Sequence, residues 1–150
     1  MTITHYTAEE FVAVATHEAG TYWLESDGTD VVVAVPHGTD WRLYGLRGPL
    51  DGSVTVSGDG DGDAVRLGDG YGHAIRLDGG DGNAFRDGDG YGNAFRHGEG
   101  YGHAIRHGRG CGLAIRRGDG DGLAIRRGDG CGNAFRLGGG YEYGSGTREG

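Results

Sequence analysis

The chain has 150 residues, 36 of them Gly and only 2 Pro, with a formal net charge of -8 at pH 7. All 14 basic residues are Arg, which excludes the Lys-dependent P-loop, and no apolar run approaches the ~20 residues of a membrane span. Glycine at over three times the roughly 7% average leaves a flexible low-complexity chain or a periodic one whose backbones pack closely.

The start, Met1 to His5, lacks the basic and apolar regions of a secretory signal, so a cytoplasmic location is expected. Thr7 then stands as an N-cap with Glu10 at the capping-box spacing. Ala8, Phe11, Val12, Ala15 and Ala19 follow on one helical face and Gly20 closes it, which predicts an amphipathic helix over 8–19. A helix ahead of a repeat array reads as a terminal cap, since end repeats need protection.

From 28 to 57 the repeat is faint. Gly28, Gly38 and Gly48 share the ten-residue phase of Gly58, and between them lie the β-branched stretches Val31–Val35 and Ser53–Val56. Residues 28–57 read as degenerate coils of the array, or as a short templating sheet; an independent small β domain is the alternative. With the helix they form an N-terminal unit, 1–57.

Residues 58–137 are eight decapeptides of the pattern G-[acid]-G-[Asp/Tyr/Cys]-G-[Asn/His/Leu/Asp]-A-[Ile/Phe/Val]-R-x. Two columns are invariant: Ala64 to Ala134, and Arg66, Arg76, Arg86, Arg96, Arg106, Arg116, Arg126 and Arg136. Between them runs an apolar column, Val65, Ile75, Phe85, Phe95, Ile105, Ile115, Ile125 and Phe135. The Gly register slips once, at Asp78-Gly79. Columns this strict argue for a fixed structure, and the pattern dissolves in an irregular tail, 138–150.

The expected fold is mainly β: a narrow parallel β-solenoid of ten-residue coils, capped by the N-terminal amphipathic helix. Stacked turns repeat at about 4.8 Å. In such a coil the Val/Ile/Phe column forms the core ladder, and Gly opposite Phe leaves room for the ring. Twenty-residue, four-sided coils like those of pentapeptide-repeat helices are a competing geometry, although alternate pentads here are unlike each other. A third option is pairing between copies through the bare Gly face.

On that geometry the Arg column lies outside the core, neutralised by Asp59, Asp69, Asp89, Glu99, Asp119 and Asp129 across the bend, or by an anionic ligand. The repeats hold 11 Arg against 12 acids, whereas residues 1–57 hold 8 acids and 2 Arg, so a nucleic-acid partner is disfavoured. Tyr71, Tyr91 and Tyr101 project as candidate partner-binding residues, with Tyr91 and Tyr101 stacking on adjacent turns. Cys111 and Cys131, two ten-residue turns apart, are too distant for a disulfide and are expected as free thiols in a reducing compartment. His97 and His107 share a column, but no third ligand stands at a fixed spacing, so no metal is expected. Calcium is disfavoured too, because the period is ten rather than nine and the position before Ala varies between Asp, His, Asn and Leu. No cofactor motif or catalytic constellation emerges; His17-Glu18 lacks a second His at the zinc-protease spacing.

The stretch Gly88-Asp89-Gly90-Tyr91-Gly92-Asn93-Ala94-Phe95-Arg96 and its neighbours resemble Gly-rich decapeptide arrays of actinobacterial and actinobacteriophage proteins. The resemblance covers about 80 residues and implies a bacterial or phage setting, hence a host-cytoplasmic or virion location, and no activity. Pentapeptide-repeat proteins are only loosely similar. The functional expectation is a non-catalytic interaction or structural module, presenting its polar ladders to a protein partner or to identical subunits. The alternatives are an acidic decoy for a host nucleic-acid enzyme, and a virion component docked through its N-terminal region.

Overall fold

A computed structural model describes residues 3–14, 20–34, 43–79, 81–99, 101–118, 122–127 and 132–137. The chain opens with strand β1 (Ile3–Thr7) and helix α1 (Ala8–Ala13), followed by β2 (Thr21–Glu25), β3 (Val31–Ala34), β4 (Leu43–Arg47) and β5 (Val54–Ser57). Each decapeptide then contributes one strand: β6 (Ala64–Leu67), β7 (Ala74–Arg76), β8 (Ala84–Asp87), β9 (Ala94–His97), β10 (Ala104–His107), β11 (Ala114–Arg117), β12 (Ala124–Arg127) and β13 (Ala134–Leu137).

Successive strands alternate between two parallel sheets. The first, sheet A, has the order β1-β2-β4-β6-β8-β10-β12; the second, sheet B, runs β3-β5-β7-β9-β11-β13. The protein is a parallel β-solenoid, as its repeat predicts, but its coil is longer. Ala64 pairs with Ala84, and Ala74 with Ala94, so a coil spans twenty residues and one decapeptide is half a turn. Ten residues supply one four-residue strand and one six-residue Gly-rich bend, enough to cross the rod once. Nor is the coil four-sided: it has two strands and two bends.

The array is continuous with the segment before it, since β4 pairs with β6 and β5 with β7. Only the spacing is irregular there: Ile3 pairs with Thr21, Thr21 with Leu43, and Val31 with Val54, before the twenty-residue step sets in. Thr7 makes the expected capping box with Glu10, which holds the Glu10 carboxyl below its usual range. The helix is nevertheless only six residues long. Val14 turns extended, and Val12 and Val14 are exposed while Ala8 and Phe11 are buried. Ala15, His17, Glu18 and Ala19, which the sequence reading also assigned to the helix region, lie outside the described residues.

The larger correction concerns the interior. Strand residues alternate faces, and in Ala-x-Arg it is Ala and Arg that point inward. Arg66, Arg76, Arg86, Arg96, Arg106, Arg116 and Arg126 are 0% exposed, as are Ala64 to Ala124. The presumed core ladder faces out: Val65 is nearly covered, Ile75, Phe85, Phe95, Ile105, Ile115 and Ile125 are half-buried, and Phe135 is 44% exposed. The side chain of Arg136 lies outside the described residues.

Candidate interaction surfaces

A buried guanidinium must spend all five of its N–H donors inside the protein. Arg106 does so entirely on backbone. Its Nε donates to Gly92 O (2.8 Å) and its Nη2 to Gly90 O (2.8 Å) and Gly88 O (3.1 Å). Its Nη1 donates to Arg86 O (3.4 Å) and to His107 O. The same reach from a strand into the Gly-rich bend of the preceding coil recurs from Arg66, whose Nε meets Gly52 O, to Arg126, whose Nε meets Gly112 O. Bends without side chains leave carbonyls pointing inward, and the Arg fork collects them. Carbonyls, not carboxylates, take the hydrogen bonds of this column; nearby carboxylates, Asp69 and Asp87 at Arg86 and Asp87 and Asp89 at Arg106, only partly offset the cost of burial. Burial, and then the like charges one coil away, push Arg96 down to about 9 and Arg86 and Arg106 to about 10, so all remain cations at neutral pH.

The bend glycines follow from this packing. A Cβ on Gly92 would lie 1.8 Å from Gly72 O and 2.8 Å from Arg86 Nε. Asp78, at the slip in register, takes the left-handed place of a glycine (φ 74°), and its Oδ2 accepts the Gly58 N–H at 2.9 Å. Beside it, Asp59, Asp78, Gly79, His97, Gly98 and Glu99 line a shallow recess of about 320 Å³.

The column before Ala also has a structural duty. Asp63 accepts the N–H of Asn83, His73 Nδ1 that of Asn93, Asn83 that of His103, Asn93 that of Leu113, and His103 Nδ1 that of Leu123. Each acceptor thus ties its coil to the next. Burial lowers the His73 and His103 pKa values, with Arg86 and Arg116 adding to the effect, and burial raises that of Asp63.

With the Arg column inside, the surfaces that remain are two sheet faces and two bend edges. One edge carries Tyr71 and Tyr91, both more than half exposed, with ring centroids 5.9 Å apart in a T-shaped pair. Tyr101 is also exposed, but it lies on the opposite edge against His103, so the expected Tyr91–Tyr101 stack does not form. His97 and His107 are likewise separated, on sheets B and A, and His107 Nδ1 meets Asp87 Oδ1 at 3.0 Å. Among the described residues no three potential metal ligands come together, and no helix is long and apolar enough to cross a membrane.

The surface charge also differs from the column arithmetic. Asp59, Asp61, Asp69, Asp78, Asp81, Asp89 and Glu99 are exposed, against Arg109, Arg117 and Arg127 among the described array residues. Asp119, Asp121 and Asp129 lie outside them. Cys111 is disulfide-bonded, and the sequence holds one other cysteine, Cys131, twenty residues on and outside the described residues. A twenty-residue coil puts that spacing one step apart, about 4.8 Å by strand spacing, where a ten-residue coil put it two steps away. The free-thiol expectation fails, and the argument from it to a reducing compartment goes with it.

Fold and surface together define a Gly-turn β-solenoid whose arginines are structural. No family model, curated protein or solved structure matches the chain.

Proposed function

We propose that the protein is a non-catalytic interaction module, a rigid rod that recognises a protein partner through its outward rows. The observation that supports this most is the consumption of the Arg column by backbone carbonyls, which leaves exposed Tyr side chains and half-buried apolar rows facing outward on the scaffold. The Tyr71–Tyr91 ledge, flanked by Asp69 and Asp89, is the surface assigned to a protein partner, Tyr being enriched at interfaces. The resemblance to phage and actinobacterial arrays sets the search in that host, cytoplasmic or virion-associated. Affinity purification from that host with the wild type and a Tyr71→Ser/Tyr91→Ser variant tests it. The expected result is a partner retained by the first and lost by the second, at unchanged circular dichroism; equal recovery by both overturns the assignment.

One observation favours a second reading, the acidic decoy. Burial of the Arg column leaves carboxylates dominating the edges of the array, so the near-balance of 11 Arg and 12 acids understates the acidity a partner meets. Salt-dependent binding to a nucleic-acid enzyme, competed by DNA, is its test.

A further inference from the structure

We infer that the outer face of sheet A is a self-recognition surface, joining two copies with their rods antiparallel. This rests on the interaction-module reading and names a partner for a surface distinct from the Tyr ledge.

Parallel sheets are ordinarily covered on both faces, and the outer face of sheet A is covered by nothing else in the described chain. Its flanking row reads, in strict register from β2 to β12, Glu25, Arg47, Leu67, Asp87, His107, Arg127. Charge reverses about Leu67 between Arg47 and Asp87, one step either side; two steps out, the carboxylate of Glu25 stands opposite the imidazole of His107, a hydrogen-bonding partner for it. A two-fold axis lying in the face along β6 turns each position onto its opposite. It brings Arg47 against Asp87 of the second copy, and Glu25 against His107. Two intramolecular pairs, Arg47–Glu25 at 2.7 Å and His107–Asp87 at 3.0 Å, then become alternating quartets.

The central row obeys the same axis. Val65, nearly flush with the sheet, sits on it, and Phe85 faces Gly45, where the Trp23 ring lies flat enough that a Gly45 Cβ would meet it at 2.6 Å. Arg47 stands over that indole at 5.7 Å, so the partner's ring meets an ordered surface. Seven strands at about 4.8 Å and five residues at about 3.3 Å give a face of roughly 500 Å², about 1,000 Å² in a pair, the lower bound for a specific interface. Sheet B lacks this symmetry; its flanking row, Ala34, Ser57, Leu77, His97 and Arg117, carries no acid to oppose Arg117. Among the described residues, the one like-charge meeting on face A is Asp63, which the axis sets against its own copy.

Sedimentation equilibrium over a concentration series is the test, with equivalent positions of the two sheets as mutual controls. Wild type is expected to dimerise. Phe85→Asp on sheet A weakens the dimer about tenfold or more, while Phe95→Asp on sheet B leaves it unchanged. Arg47→Asp and Asp87→Arg each weaken it and together restore it, which a merely intramolecular effect does not do, since the two residues are two coils apart. Asp63→Asn, which keeps the acceptor for Asn83, tightens it roughly twofold by removing the like charge. A monomer at every concentration, an equal effect of Phe95→Asp, or no rescue by the charge swap overturns the proposal. Partner capture through Tyr71 and Tyr91 is read separately, so loss of the dimer alone leaves the module reading standing.

Discussion

The first coils and the repeat array use the same two sheets and fill them with opposite chemistry. Leu24 and Leu46 point inward in sheet A, and at the next step of that column stands Arg66; in sheet B, Val56 is followed by Arg76. Before the switch the interior is Ala8, Phe11, Tyr22, Leu24, Val31, Leu46, Val54 and Val56, with edge-on contacts such as Phe11–Tyr22 at 5.5 Å. After it the interior is Ala and Arg. What changes with the side chain is the bend. The turn before β3 uses carboxylates to hold backbone N–H groups, Asp27 for Glu9 and Thr29, and Asp30 for Ser53. The bends from Gly48 onward keep such carboxylates, Asp51 for Tyr71 and Asp81 for Tyr101, but they also turn a row of carbonyls inward, and a carbonyl row needs a donor. A polar core of this kind is specified by its turns.

Breaking the two cores should therefore have different costs. Leu46→Ala creates a cavity and is expected to lose about 2–5 kcal/mol. Arg96→Met keeps apolar bulk but abandons the carbonyls of Gly82, Asp78 and His97, which no side chain replaces. With each orphaned buried acceptor costing about 1–3 kcal/mol, the loss should exceed that of Leu46→Ala and unfold several coils together. Arg96→Lys should rescue little, because an ammonium lacks the planar fork. Urea melts of the three variants decide it, and an Arg96→Met protein as stable as wild type would mean the carbonyls find water.

Glycine supplies the next contrast. Gly92→Ala drives a Cβ into the Gly72 carbonyl, and overpacking against backbone should cost about 3 kcal/mol. Gly28, at φ +91° with nothing within 4 Å of a Cβ, belongs to the irregular first coils; Gly28→Ala should cost only about 1–2 kcal/mol, for the left-handed backbone. Equal thermal shifts would show that the array relaxes more freely than its close contacts suggest.

Much of this was written in the sequence, in a form that hydrophobicity obscures. The period, the parallel stacking and the Thr7–Glu10 cap are legible because each follows from spacing alone. The orientation of the strand is harder, since in Ala-Phe-Arg the usual preference sends Phe inward. The better signal was variability between repeats: Ala and Arg, two residues apart and so on one face, never change, while the neighbours of Arg do. The coil length was also encoded. At a spacing of ten, the bend column mixes Tyr, Asp and Cys; at twenty it separates into Tyr71, Tyr91, Cys111 and Cys131, and into Asp61, Asp81, Tyr101 and Asp121. What the sequence does not display is the carbonyl row, because a backbone acceptor leaves no letter.

That cysteine spacing marks the far end of the array, as the apolar core marks the near end. Cys111→Ser, or reduction of the wild type, should lower stability by about 2 kcal/mol, the low end for a disulfide, because stacked coils already restrict the chain. Thiol titration of the unfolded, unreduced protein should find no free sulfhydryl, and finding two would remove the staple.

The smallest effect is a pH dependence confined to the array. His73 and His103 must hold an unprotonated Nδ1 to accept the N–H groups of Asn93 and Leu123, and burial lowers their pKa values. The unfolded chain therefore binds protons first, near its ordinary value of about 6.5. Stability is full above that pH and falls as the pH drops from there toward the lowered folded values. Asp63, whose pKa is raised, works in the opposite direction, but only in the carboxylate range. Asn serves the same column at 83 and 93, so His73→Asn/His103→Asn should keep both hydrogen bonds and remove the acid sensitivity between about pH 6.5 and 5, on the order of 1 kcal/mol. Urea midpoints at the two pH values measure the difference. If the double variant loses as much stability as wild type on acidification, the sensitivity lies outside this column, and the coil-to-coil acceptors do not distinguish between imidazole and amide.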